Sequence, residues 1–79
     1  MDHETVIDCT GLCCHLPVMR ITERLKTVPA GRRVRIVRVG SGGRNDVEAW
    51  IRMTGQDVAE RREMNDEFEF VITKKGEHK

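Results

Sequence analysis

The side chains able to do nucleophilic or metal chemistry crowd into one stretch, DCTGLCCHLPVM, which holds Cys9, Cys13, Cys14 and His15. Four uses suit such a cluster: a metal site, a disulfide, a nucleophilic thiolate, or plain packing. A structural zinc ion takes four ligands, normally from two separated pairs. No second Cys/His pair follows downstream, and His3 and His78 lie near the two ends. No metal is therefore expected, and no other cofactor is called for. Three cysteines are an odd number, and the opening MDHETVID lacks the basic-then-apolar pattern of a secretory signal. Both points argue against a structural disulfide framework and for a cytoplasmic location.

The cysteines differ in setting. Cys14 stands three residues before Pro17, and Pro17 suits the first position of a helix. A thiolate beside a helix start is stabilised by free backbone N–H groups and the positive end of the dipole, which lowers its pKa. Cys14 is thus the expected nucleophile. His15 either activates it or is a surface residue. Cys13 is a spectator, a partly redundant thiol, or a thiol that resolves a modified Cys14. Adjacent Cα atoms lie about 3.8 Å apart, below the usual disulfide range, so a Cys13–Cys14 bridge would be strained. Cys9 shares a strand face with Ile7, which points to packing.

The surrounding pattern supplies elements to hold this loop. TVIDC (Thr5 to Cys9) alternates as a first strand. Val18, Ile21, Leu25 and Val28 recur at helical spacing, with Arg20, Glu23, Arg24 and Lys26 on the wet side. PAG stops that helix. RVRIVRV is a second strand with Val34 and Ile36 inward and Arg33 and Arg35 outward, and GSGG reads as a flexible turn. Asn45 and Glu48 look like a capping pair, with Asp46 as a cap or first-turn residue. Val47, Trp50, Ile51 and Thr54 would line the second helix, and Gly55 would end it. QDVAERRE and EFEFVITK form two strands around a turn at Asn65-Asp66, with Phe68, Phe70 and Ile72 as a buried row. Glu67 and Glu69 would face out toward Arg33 or Arg35.

The order β-α-β-α-β-β predicts an α+β two-layer sandwich, with two helices on one face of a four-stranded mixed sheet. A β-α-β crossover makes the first two strands parallel, so both loops at their carboxyl ends become neighbours. Cys13, Cys14, His15 and Pro17 would then lie near Gly42, Gly43 and Arg44. The glycines would allow close approach of a partner, and Arg44 would either pair with an anion or stay solvated.

Size and charge narrow the classes. The chain has 79 residues, a single domain with an ordered core of about 5–75. Charged residues make up 34% and the net charge is +1, so no strong field draws nucleic acid or membrane. No apolar run approaches the roughly 20 residues of a membrane span. The arginine strand lacks the interleaved aromatics of single-strand binders, so direct RNA binding is not expected.

DCTGLCCHLPVM resembles the TusA/SirA family of small sulfur carriers, whose loop reads D-x-x-G-L-x-C-P-x-P. Asp8, Gly11, Leu12, Cys14 and Pro17 fall on that pattern. VPAGRRVRI, NDVEAW with Asp46 at the family's aspartate, and EFEFVITKKG extend the likeness from Thr5 to Gly76. His15 departs from it, standing where the family has proline. The resemblance implies a persulfide relay. Cys14 would take sulfane sulfur from a donor such as a cysteine desulfurase and pass it to an acceptor protein, for tRNA thiolation or other sulfur metabolism. The alternative is a non-catalytic interaction or regulatory module of the same fold, its transfer altered or lost with the proline.

Overall fold

The computed structural model describes residues 5–74. The chain runs β1 (Thr5–Asp8), α1 (Leu16–Leu25), β2 (Arg33–Gly40), α2 (Ser41–Thr54), β3 (Asp57–Met64) and β4 (Glu67–Thr73). His3, His78 and the closing residues through Gly76 lie outside the described part. The expected α+β sandwich is present: α1 and α2 pack on a four-stranded mixed sheet ordered β1-β2-β4-β3. β1 and β2 are parallel, with Ile7 opposite Ile36. β4 runs antiparallel to both β2 and β3.

Alternation explains the core. Ile7, Val34, Ile36, Val39, Phe70 and Ile72 project from the sheet onto Ile21 and Leu25 of α1 and Val47 and Ile51 of α2. Strict alternation in β2 would turn Arg38 inward after Ile36. Instead the register shifts between Ile36 and Val39, and Arg38 takes a left-handed φ of 61°. This bulge sends Arg38 to solvent and returns Val39 to the core. Asn65 and Asp66 have φ of 52° and 66°, as a two-residue hairpin turn between twisted strands demands.

Two readings of the sequence need correction. GSGG is not a flexible turn: Gly40 is the cap of α2, and Ser41, Gly42 and Gly43 are its first turn. Asn45 and Glu48 therefore lie inside the helix rather than capping it, and Asp46 sits beyond the first turn. Glycine here serves helix packing, as the site geometry shows. Val28 is buried as expected, but from a turn rather than from α1, with its N–H donating to the Leu25 carbonyl at 3.1 Å. Thr54 is exposed, its hydroxyl donating to the Trp50 carbonyl. Trp50 is half-buried against the core.

Polar contacts fasten the layers. Lys74 Nζ donates to the Leu25 and Val28 carbonyls at 2.7 and 2.6 Å, closing the end of α1. Arg61 of β3 pairs with Glu48 of α2 at 2.9 Å. Arg35 and Glu69 pair across the open face of the sheet. Along the edge strand β1, Arg20 donates to the Asp8 carbonyl at 3.1 Å and Arg24 to the Val6 carbonyl at 3.4 Å. These two side chains occupy acceptors that would otherwise invite a foreign strand.

Candidate functional site

The loop from β1 to α1 is shaped by its own short-range bonds. The Asp8 carboxylate accepts from the Thr10 N–H at 2.9 Å and from the Thr10 hydroxyl. Those bonds hold Asp8 below the usual carboxylate range. The Leu12 N–H donates to the Cys9 carbonyl at 3.1 Å, and Leu12 tucks against the core. The chain then turns outward, leaving Cys13, Cys14 and His15 exposed. Cys14 itself carries a φ of 59°, a left-handed conformation uncommon for a residue with a side chain.

Gly43 makes room for this turn. A Cβ on Gly43 would lie 2.8 Å from Pro17 Cγ and 3.1 Å from the Cys14 carbonyl oxygen. The first turn of α2 thus rests directly on the buried ring of Pro17 and the backbone of Cys14. Gly42 lies beside Cys13, with 3.8 Å between its would-be Cβ and that of Cys13. The two chain segments are neighbours as the parallel crossover predicts. The second is a helix start rather than a loop.

The thiols fall into two environments. Cys9 is fully buried, and burial pushes its thiol up to about 11. It is a core residue. Cys13 and Cys14 are exposed free thiols on adjacent residues. The Cys13 thiol, and to a lesser degree the Asp46 carboxylate, raise the Cys14 thiol above its ordinary value. This reverses the expected lowering by the helix start. The start of α1 has few donors to offer: the Leu16 N–H is spent on the Cys13 carbonyl at 3.1 Å, and Pro17 has none. A thiol so raised is less ionised at neutral pH, and its thiolate, once formed, is the stronger nucleophile.

The remaining residues take varied places. His15 is the N-cap of α1, makes no side-chain cap bond, and offers its carbonyl to the Met19 N–H at 3.1 Å. Arg44 turns away to the sheet, its guanidinium 5.0 Å from the centre of the Phe68 ring. Asp46, read as a capping residue, instead directs its charge at Cys14. Helical spacing back from Val47 could have revealed this only once the helix start was moved to Ser41. Leu16 and Met19, one turn apart on α1 just after the thiols, are exposed apolar side chains.

Comparison with known proteins agrees with this arrangement. The family model described as Sulfurtransferase TusA matches residues 5–74. The chain is similar to the sulfur carrier protein TusA of Allochromatium vinosum, at 29% identity over 92% of this chain and 96% of the relative. It is similar to the putative sulfur carrier protein YrkI of Bacillus subtilis, at 28% identity over 94% and 99%. The putative sulfur carrier protein NMA0882 of Neisseria meningitidis is 32% identical over 95% of this chain and 100% of its own. No solved structure matches the chain significantly.

Proposed function

The chain belongs to the sulfurtransferase TusA family, and from that premise we propose that it carries sulfane sulfur as a persulfide on Cys14. A donor protein such as a cysteine desulfurase loads Cys14, and an acceptor protein in the cytoplasm, serving tRNA thiolation or another sulfur pathway, unloads it. The observation that carries this reading is the exposed Cys14 thiol at the family's cysteine position, on a strained turn braced by Gly43 and Pro17. An exposed sulfur on a braced turn can meet a partner's cysteine without the fold opening. Leu16 and Met19 offer apolar contact beside it, as a transient partner requires. His15, at the motif proline, keeps a helical backbone, with φ of −90° and ψ of 0°, and caps α1 in the proline's place.

The test is loading with a cysteine desulfurase and isotopically labelled cysteine, followed by mass spectrometry. Label is expected on Cys14 and lost in Cys14→Ser. Equal loading of Cys14→Ser sinks the proposal and leaves the interaction-module reading.

A further inference from the structure

We infer that Cys13 is a second sulfur-carrying group, which exchanges sulfane sulfur with Cys14 inside the molecule. The inference rests on the carrier reading above. Three features lead to it. Both thiols are exposed and free, so either can meet a partner. They sit on adjacent residues with Cα atoms about 3.8 Å apart, and each thiol is close enough to influence the other, so a sulfur atom bound to one lies within reach of the other. Cys13 is also anchored: its carbonyl accepts the Leu16 N–H at 3.1 Å, and its Cβ rests beside Gly42 in the first turn of α2. The pair is thus held at the junction of both helices rather than swinging on a free loop.

The chemistry needs no external reagent. The Cys13 thiolate attacks the terminal sulfur of the Cys14 persulfide. A bond forms between Cys13 Sγ and that sulfur while the bond from the sulfur to Cys14 Sγ breaks. The electron pair of the broken bond leaves on Cys14 Sγ, which takes up the proton Cys13 gave up. A thiol and a persulfide are consumed, and a thiol and a persulfide are made, with no net oxidation or reduction. The competing attack on Cys14 Sγ would expel hydrosulfide and close a disulfide between adjacent residues. Their Cα atoms are about 3.8 Å apart, short of the range an unstrained disulfide spans. Exchange leaves no such ring, so sulfur is moved rather than lost. The sulfur is thereby offered at two adjacent positions.

The experiment treats wild type, Cys13→Ser and Cys14→Ser with heavy-sulfur-labelled glutathione persulfide. Samples are alkylated at short intervals, and fragment ions that separate the two adjacent cysteines locate the label. In wild type the label should divide between Cys14 and Cys13 in a constant ratio from the first sample. In Cys14→Ser, Cys13 should carry about tenfold less label at equal times, because it loses the internal supply. In Cys13→Ser, Cys14 should load as in wild type. A bare Cys13 in wild type overturns the inference. So does a Cys13 that loads as fast in Cys14→Ser as in wild type, since it is then charged directly. A Cys14 that carries no label in wild type and in Cys13→Ser alike overturns the carrier reading itself, and the inference with it.

Discussion

Cys14 shows how little a residue's identity says about its ionisation. A cysteine before a helix start is ordinarily acidified, yet here the Leu16 N–H is engaged, Pro17 has none, and a thiol and a carboxylate act on Cys14. The sign follows directly: both neighbours disfavour the thiolate, so removing either should let it form at lower pH. Cys13→Ala and Asp46→Asn should each shift the pH profile of Cys14 alkylation by iodoacetamide to the acid side. Cys13→Ala should shift it further, because Cys13 exerts the larger influence. A shift to the alkaline side in either variant contradicts this account. Loading of the wild-type protein should accordingly rise through mildly alkaline pH.

At the scale of elements, the two glycines that open α2 look alike in sequence and differ in duty. Gly43→Ala drives a methyl into Pro17 and the Cys14 carbonyl, both of which are fixed by helix and turn. It should cost about 1–3 kcal/mol of stability and slow loading of Cys14. Gly42→Ala meets nothing closer than ordinary contact with Cys13. It should stabilise the protein by up to about 1 kcal/mol through helix propensity. Urea denaturation of the two variants reads the contrast, and equal effects would sink it. The same glycines mark where sequence reading stopped. Glycine signals both a turn and a close approach of backbones, and only the position of Pro17 in space tells them apart. The bulge at Arg38 had a signal that the simple alternating reading passed over: Ile36 and Val37 are consecutive apolar residues, so the pattern of RVRIVRV changes phase where the register shifts. The hairpin at Asn65-Asp66, the αL cap at Gly55 and the rows of Ile7, Ile36 and Phe70 were legible, since each follows from local chemistry or a simple period. The meeting of the thiol loop with the start of α2 was legible for a topological reason: parallel strands put their following segments at one edge. The charge reaching Cys14 from Asp46 was not, because it depends on helix phase set by the misread glycines.

For the whole molecule, the long-range tie at Lys74 matters out of proportion to its size. In a chain this short the core is limited, and each fastening counts. Lys74 stands just past β4, and its ammonium reaches the last carbonyl of α1, at Leu25, and that of Val28 in the following turn. Charge-assisted bonds of this kind contribute about 1.5–3 kcal/mol, and Lys74 is half-buried, which limits screening by solvent. Lys74→Met should lower the urea midpoint accordingly while leaving the slope unchanged, since the buried surface is the same. An unchanged midpoint would show that water serves those carbonyls equally well.

The sheet order also bears on how the chain is made. β4 is synthesised after the other three described strands but lies between β2 and β3. Until it emerges, β2 lacks its inner neighbour and β3 has no strand to pair with at all. A nascent chain therefore cannot complete its sheet in step with translation. Completion of the sheet waits for β4, and a fragment truncated before Glu67 has lost the middle of the sheet rather than a dispensable end.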